Sequence, residues 1–190
     1  MYKRPAQQRE MLNLWLSVAG QGVSGLGHYL FSFAMGLYVL SLTGSAQSYA
    51  VTVAVSLLPS ALLSPIVGTL ADRLNKKLLV VLSDALNCLL LVSAFFVTLI
   101  RPLAVTDVYL ITLCMSVLSP FVNVAFTAAG PQLVSDKQLS RLTSYRSAVT
   151  SIIQVATPVL SGAVYVVVDI RLFILFSGIA FGLSALSELF

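Results

Sequence analysis

Four polar residues and one glycine recur at helical spacing inside the first long apolar run of the sequence. They follow the pattern i, i+3, i+4, i+7 and i+11, and they are Gln21, Ser24, Gly25, His28 and Ser32. This spacing places them on one face of a helix. His28 is the one histidine of the chain, and an imidazole with an ordinary pKa of about 6.5 suits a proton carrier. The stripe therefore predicts either a face that binds substrate and protons, or a neutral histidine hydrogen-bonded to a neighbouring helix.

Two later apolar runs carry stripes of the same kind. The fourth run contains Thr112, Ser116, Ser119, Asn123 and Thr127. The fifth run contains Ser147, Ser151, Gln154, Pro158 and Ser161. Within a membrane such stripes face a packed neighbouring helix or a water-filled cavity. Both interpretations stay open for the fourth run, and helix packing is favoured for the fifth.

One carboxylate lies well inside an apolar run. Asp84 follows Lys77 by seven residues, which is about 10 Å along a helix. Burying a charge without a partner is costly, so Asp84 needs a cation nearby. Arg73 or Arg146 is the expected partner, in a charge network that holds one conformation. The alternative is a protonation site.

The composition determines which elements position these side chains. The chain has 190 residues, of which 58% are hydrophobic and 9% charged, whereas soluble domains carry about 25% charged residues. A lipid bilayer is therefore the expected solvent, and helices of roughly 20 residues span it. We predict an all-α membrane protein with a cytoplasmic segment, 1–10, and a six-span bundle, 11–190. The predicted spans are 11–40, 46–71, 77–100, 105–128, 143–168 and 171–190.

The distribution of basic residues predicts the orientation of the bundle. Nine of the eleven Lys and Arg residues fall at one set of helix ends, and two, Arg101 and Arg171, at the other. Because the cytoplasmic side carries the excess of positive charge, both termini are expected in the cytoplasm of a cell-membrane protein. The nine are Lys3, Arg4, Arg9, Arg73, Lys76, Lys77, Lys137, Arg141 and Arg146. These basic residues lie at the ends of apolar runs and do not share one polar face, which argues against nucleic-acid binding.

Motifs for enzyme chemistry are absent from the sequence. There is no phosphate-binding Gly-x-x-x-x-Gly-Lys loop and no His-Glu-x-x-His pair. Cys88 and Cys114 lie within apolar runs, where they are expected to pack. We therefore predict no catalytic residues, no metal site and no cofactor. Gly178 and Gly182 form a Gly-x-x-x-Gly pattern, which is typical of helix association in membranes.

The stretch "GTLADRLNKK", residues 68–77, concentrates charge between the second and third runs. It resembles the loop 2–3 signature of the major facilitator superfamily, Gly-x-x-x-Asp-(Arg/Lys)-x-Gly-(Arg/Lys)-(Arg/Lys). The matching residues are Gly68, Asp72, Arg73, Lys76 and Lys77. Asn75 stands where the signature has glycine, and Asn tolerates a left-handed turn. By this resemblance the loop is a conformational latch that holds helix ends together in one state of a transport cycle.

Other stretches resemble the macrolide-efflux-like drug exporters of the same superfamily. They include "LYVLSLTGSAQSYA" at the end of span one and "AAGPQLVSDKQLSRLTSYRS" before span five. "TPVLSG" in span five, with Pro158 and Gly162, resembles a degenerate antiporter signature. The resemblance implies two six-helix halves, each of two inverted three-helix repeats. It further implies that spans one and four line the cavity and that spans two and five meet the other half. The implied lining residues are Gln21, Ser24, His28, Ser32, Ser116, Ser119 and Asn123.

The resemblance thus implies the N-terminal half of a secondary transporter that exports amphipathic drugs or other small molecules, coupled to protons. Its partners would be lipid, a small-molecule substrate and a second six-helix half, in the same longer chain or a separate one. Three alternatives remain open. The chain is a non-transporting assembly or regulatory protein, a fragment that is inactive alone, or one half of a transporting homodimer. The substrate, the transport direction and the coupling ion do not follow from the residues.

Overall fold

The computed structural model describes residues 6–71, 75–134 and 136–189, and these form six α-helices. The helices are α1 Ala6–Thr43, α2 Ala46–Ala71, α3 Lys76–Ile100, α4 Val105–Leu133, α5 Asp136–Val167 and α6 Ile170–Leu189. Helices α1 to α5 are long and apolar enough to cross a membrane. The apolar stretch of α6, Ile170–Leu186, is shorter, but the whole helix of 20 residues extends about 30 Å. The predicted all-α membrane fold is confirmed.

The connection between α4 and α5 differs from the prediction. The sequence indicated a long polar connector after residue 128, whereas α4 continues to Leu133 and α5 begins at Asp136. Likewise, α1 begins at Ala6 and not near residue 11. The polar residues of these stretches include good helix formers such as Gln, Lys and Arg. The helices therefore continue past the apolar runs that hydropathy alone detects.

Local hydrogen bonds define the helix ends. Gly44 adopts a positive φ of 63° and donates its N–H to the carbonyl of Leu40 at 2.8 Å, which ends α1. Glycine reaches this conformation without steric cost. Asn75 is extended, with φ −69° and ψ 113°, and its side chain accepts a hydrogen bond from the Lys77 N–H at 3.0 Å. Asn75 is therefore the N-cap of α3 and does not use the left-handed conformation that Asn tolerates.

Helix pairing follows a pseudo-twofold pattern. Helix α1 packs along α5 as α2 packs along α4, while α3 packs on α6 and α1 crosses α4. Exchanging α1–α3 with α4–α6 maps each of these pairs onto another or onto itself. Because each repeat has three helices, equivalent helices run in opposite directions. The bundle thus has the architecture of two inverted three-helix repeats.

The α3–α6 seam, formed by Cys88, Leu91, Val92, Gly178 and Gly182, is closely packed. A Cβ atom added at Gly178 would lie 3.2 Å from the Cβ of Leu91. One added at Gly182 would lie 3.0 Å from the Sγ of Cys88. The Gly-x-x-x-Gly pattern of α6 therefore allows close approach to α3 within the bundle.

The outer faces of the helices suit lipid. Large apolar side chains such as Leu62, Leu89 and Phe176 are 72%, 71% and 62% exposed. Hydroxyl groups on these helices donate to carbonyls of their own helix, as Ser64 does to Ser60 at 2.6 Å. Such internal bonds satisfy polar groups that lipid cannot.

Candidate functional site

A cavity of about 110 Å³ lies between α1, α2, α3, α4 and α6. Its wall is mostly polar or small. The lining residues are Gln21, Ser24, Gly25, His28, Tyr29, Ser56, Leu57, Ser60, Asp84, Asn87, Ser119, Val122, Asn123 and Phe181. We call this space the polar cavity.

Helix α1 supplies most of the stripe that the sequence singled out. Gln21, Ser24, Gly25 and His28 line the polar cavity, whereas Ser32 does not. His28 also contacts the neighbouring Tyr29 ring edge-on, with centroids 5.9 Å apart. The side of α1 that faces the cavity is thus the polar side.

The α4 stripe divides between two roles. Ser119 and Asn123 line the polar cavity. Ser116 is fully buried and donates to the carbonyl of Leu113 at 2.8 Å, and Thr112 is also buried. The two alternatives left open by the sequence therefore both occur on α4, with packing towards one end and cavity lining towards the other.

The α5 stripe lines no part of the polar cavity, and two of its members bond to α1. Gln154 donates to the hydroxyl of Tyr29 at 3.0 Å, and Ser161 donates to the carbonyl of Leu30 at 3.2 Å. Pro158 lies inside the helix, and a Cβ atom added at Gly162 would meet nothing within 4 Å. Gln154 and Ser161 thus join α5 to α1, whereas Ser147, Ser151 and Pro158 are exposed.

Helix α3 contributes two polar residues to the polar cavity. Asp84 is 0% exposed and Asn87 is 3% exposed, and both line it. No ion pair joins Asp84 to Arg146 among the described residues, and Arg146 donates to the carbonyl of Phe126 at 2.9 Å. Arg73, the other expected partner, lies outside those residues. The Ser184 hydroxyl interacts with the Asp84 carboxylate, but neither carboxylate oxygen accepts a hydrogen bond of regular geometry from a described residue.

Four acceptor oxygens at the polar cavity have no such partner among residues 6–71, 75–134 and 136–189. They are Gln21 Oε1, both carboxylate oxygens of Asp84 and Asn87 Oδ1. An unsatisfied buried acceptor costs on the order of 1–3 kcal/mol. A bound molecule that donates hydrogen bonds would recover part of that cost. These oxygens have almost no accessible surface, so a molecule in the polar cavity would reach them only after the neighbouring side chains move.

Sequence reasoning missed several lining residues. Asn87 follows Asp84 by three residues, and Ser60 follows Ser56 by four, so each pair lies on one helix face. This spacing was available in the sequence. Phe181 carried no such signal, because an aromatic residue in an apolar run is usually a packing residue.

The bundle end that holds Lys76, Lys77, Arg141 and Arg146 is here called the basic end. Lys76 of α3 donates from Nζ to the carbonyl of Ala128 on α4 at 2.6 Å. Arg146 of α5 donates to the carbonyl of Phe126, which also lies on α4. Cations from α3 and α5 thus hold the end of α4. Gly68 has open space around its Cβ position. Asp72 and Arg73, the central residues of the predicted latch, lie outside the described residues.

At the opposite end, tyrosine hydroxyls link the helices. Tyr38 of α1 donates to the carbonyl of Leu103 at 3.2 Å, and Tyr109 of α4 donates to the carbonyl of Ser48 at 3.2 Å. The hydroxyls of Ser41 and Tyr165 lie 2.8 Å apart. These bonds join α1, α2, α4 and α5 at one level of the bundle.

An exposed ion pair also lies at this end. Arg101 donates to both carboxylate oxygens of Asp107, at 2.6 and 2.9 Å. This pairing raises the pKa of the Arg101 guanidinium above its ordinary value. Asp107 also accepts the Ala104 N–H at 2.8 Å, which fixes the short turn before α4.

Comparison with known proteins agrees with this architecture. The family model of the Major Facilitator Superfamily matches residues 18–190. The chain belongs to that superfamily, a family of transporters. Over 157 residues it is 28% identical to a protein of Streptococcus pyogenes named macrolide efflux protein A, and equally so to its counterpart from a serotype M6 strain. The match covers 80% of this chain and 38% of each relative, so it spans well under half the length of these curated relatives. No solved structure shows significant similarity to the chain.

Proposed function

We propose that this chain forms the N-terminal half of a secondary active exporter of amphipathic small molecules. The observation that carries the proposal is the polar cavity, into which α1 and α4 both direct polar residues. A superfamily member needs such a path through the bilayer midplane. The half-transporter lies in the cell membrane with both termini in the cytoplasm, as the excess of Lys and Arg at the basic end indicates.

A second six-helix half completes the transport path in this proposal. Helices α2 and α5 are the least buried of the five spanning helices, with 11% and 17% of the residues in their spanning windows buried. They therefore offer the largest free surfaces for another bundle. The length of the relatives supports a second half in the same protein, and a separate chain would serve equally.

Macrolides are the first substrates to test, because the matched relatives are named for macrolide efflux. A macrolide joins a large apolar ring to polar and basic groups. The polar cavity offers serine, asparagine and glutamine side chains beside Leu57, Val122 and Phe181. Such a wall suits a molecule with both polar and apolar parts.

Alternating access coupled to protons is the mechanism proposed. Asp84 brings a carboxyl group and His28 an imidazole to the lining of the polar cavity. A proton carried inwards gains about 2.3 kcal/mol per 100 mV of membrane potential, which would drive export. A role for His28 in the path requires that its removal alter export or its pH dependence.

The export experiment uses the protein in its native length, expressed in a macrolide-sensitive bacterium. We expect it to lower the accumulation of a radiolabelled macrolide, and a protonophore to reverse this effect. His28→Ala should raise accumulation towards that of cells without the protein. Ser32→Ala, on the same helix but away from the cavity, is the matched control. Unchanged export and pH dependence in His28→Ala would exclude His28 from the path.

The loop 2–3 residues are proposed as a latch. Gly68, Asp72, Arg73, Lys76 and Lys77 match the superfamily signature, and the bond from Lys76 to Ala128 supports a link between α3 and α4 at this end. Asp72→Asn is expected to insert normally and to slow the conformational cycle. Single-turnover efflux from preloaded vesicles measures that rate. A wild-type rate in the variant would count against the latch.

A non-transporting assembly or regulatory role is the alternative outcome of the export experiment. It is favoured if the native-length protein inserts at normal levels and lowers the accumulation of neither macrolides nor other amphipathic cations. The polar cavity would then serve packing or ligand sensing.

A further inference from the structure

A second space, larger than the polar cavity, lies at the surface of the bundle. It has a volume of about 300 Å³ and is formed by α1, α5 and α6. Most of its wall is apolar, including Leu30, Val164 and Phe173. Val23 and Phe176 also line it and are 75% and 62% exposed, so the space is open along one side. We call this space the α1–α6 groove.

The groove is a gap between two helices that scarcely touch each other. Helix α6 packs mainly on α3, and α5 packs mainly on α1, so α5 and α6 leave part of the α1 surface uncovered. The pair equivalent to α1–α6 in the other repeat, α3–α4, is packed more extensively. Gly27 lies on the α1 side of the groove, and a Cβ atom added there would meet nothing within 4 Å. The side chains of the bundle therefore leave this space unfilled.

The dimensions of the groove suit one hydrocarbon chain. Its lining residues on α6 extend from Phe173 to Ser184, which is about 16 Å along a helix and about half the thickness of the hydrocarbon core of a bilayer. A transmembrane helix is about 10 Å across with its side chains, so it could cover this narrow space but would not enter it. A flexible acyl chain can enter the groove from the surrounding lipid.

The groove begins at one end of the bundle. Val168 and Phe173 line it on either side of the short turn between α5 and α6. This turn lies at the end opposite the basic end, because α5 runs from Arg141 and Arg146 at the basic end to Val167. A lipid whose chain enters here therefore belongs to the leaflet on that side, with its headgroup at the level of the turn.

Arg171 provides a positive charge beside this turn. Its side chain is exposed, and no carboxylate of the described residues forms an ion pair with it. The adjacent Asp169 accepts the backbone N–H of Arg171 at 2.7 Å, whereas Arg101, at the same end of the bundle, is paired with Asp107. A guanidinium can donate two parallel hydrogen bonds to a phosphate. The beginning of the groove thus combines an apolar space with a side chain suited to a phosphodiester.

We propose that the α1–α6 groove binds one acyl chain of a phospholipid from the leaflet opposite the basic end, and that Arg171 binds the phosphate of that lipid. The acyl chain supplies the van der Waals contacts that α5 and α6 lack with each other. The bound lipid therefore links these two helices and stabilises the bundle. This site is separate from the proposed transport path, so the inference does not depend on export.

Lipid binding to the purified protein tests the proposal. The native-length protein is exchanged into a detergent compatible with native mass spectrometry and titrated with dioleoylphosphatidylcholine. Dioleoylglycerol, which has the same chains without the phosphate, is titrated in parallel. We expect the phospholipid to bind about tenfold more tightly, which corresponds to about 1.4 kcal/mol, because hydrogen bonds between charged groups are the stronger ones.

Two substitutions address the two parts of the site. Gly27→Leu places a side chain in the groove and should weaken both lipids about tenfold, with Gly27→Ala giving a smaller effect in the same direction. Gly20→Leu is the matched control, because a Cβ at Gly20 also meets nothing within 4 Å, on the same helix but away from both spaces. Arg171→Gln should remove the preference for the phospholipid and leave binding of the diacylglycerol unchanged. Arg101→Gln, which removes the same charge at the same end of the bundle, is its control.

Photolabelling locates the bound chain. The native-length protein is placed in vesicles that contain a phosphatidylcholine with a diazirine at the middle of one acyl chain, and labelled residues are identified by mass spectrometry after irradiation. We expect the label at Phe176 to exceed several-fold that at Leu89, which is 71% exposed on α3 but lines neither space. Lipid that only surrounds the bundle would label both residues alike.

Three outcomes would overturn the proposal. Equal labelling of Phe176 and Leu89 would mean that no lipid is held in the groove, because the second half covers it or because lipid exchanges there freely. The same conclusion follows if Gly27→Ala, the milder variant, and a folded Gly27→Leu protein both bind the two lipids as the wild type does. A preference for the phospholipid that persists in Arg171→Gln rejects the phosphate contact. None of these results bears on export, which is measured separately in cells.

Discussion

Small residues have opposite consequences in two regions of this bundle. In the α3–α6 seam, Gly178 and Gly182 are covered by the opposing helix, because a Cβ atom added at either would lie only 3.2 Å from Leu91 or 3.0 Å from Cys88. Along α1, Gly25 and Gly27 border open space. The same residue type thus brings two helices together in one region and leaves room for a ligand in the other.

Physical differences between the two regions explain this contrast. Lipid gives helices little hydrophobic reason to associate, so close van der Waals packing stabilises the seam. Around Gly25 and Gly27, α1 lacks such contacts, and the polar cavity nearby buries acceptor oxygens that lack regular donors among the described residues. A region that forgoes packing and hydrogen bonds lowers stability. Its persistence fits a binding role better than a structural one.

The largest effect is expected at the seam. Gly178→Leu would force a side chain against Leu91 and against Val92, whose backbone nitrogen lies 3.5 Å from the Cβ position. Overpacking of this kind costs about 1–3 kcal/mol or more, and the α3 backbone cannot move aside cheaply. We expect a large loss of folded protein, measured by fluorescence-detected size exclusion after heating.

Gly162→Leu is the matched control for this prediction. Its Cβ position has nothing within 4 Å, so the same substitution on α5 should be tolerated. Equal thermal stability of the two variants would mean that the seam is no more tightly packed than the rest of the bundle.

A smaller effect is expected from the contact between Gly182 and Cys88. The Sγ of Cys88 must shift to admit a methyl group, whereas Ala gains up to about 1 kcal/mol over Gly in helix propensity. These two effects oppose each other, and their balance decides whether Gly182→Ala alone raises or lowers the free energy of unfolding. We test this in a double-mutant cycle with Cys88→Ala. We expect the double variant to be more stable, by about 0.5–1 kcal/mol in free energy of unfolding, than the summed changes of the two single variants predict.

Thermal or denaturant unfolding in detergent measures this coupling. Purely additive changes would show that Cys88 gives way without strain. The close approach would then not depend on the sulfur.

The sequence predicted the helical membrane fold well because hydropathy reports directly on the bilayer. The six helices, their order and the family were all available from the apolar runs and the "GTLADRLNKK" stretch. The polar face of α1 also follows from spacing alone, since a helix places every third or fourth residue on one side.

The lining of the polar cavity was less predictable. Periodicity shows which residues share a helix face, but it does not show which helix or cavity that face contacts. Ser116 and Ser119 belong to one stripe, yet the first is buried in packing and the second borders the cavity. Asp84 was assigned a cationic partner from the cost of burial, but the position of Arg146 beside Phe126 depends on how α5 crosses α4. Such outcomes require tertiary contacts between residues that lie far apart in the chain.

The smallest effect is expected at Gly25, and it gives the sharpest test of the contrast. The nearest atom to a Cβ at Gly25 is Tyr29 Cε2 at 4.0 Å, an ordinary contact. Gly25→Ala should therefore leave the melting temperature unchanged or slightly higher, because Ala favours the helix. The added methyl group occupies part of a cavity of only about 110 Å³, so the affinity of the native-length protein for a macrolide should fall a few-fold. A fall in melting temperature without a change in affinity would instead place Gly25, like Gly178, in a packed seam.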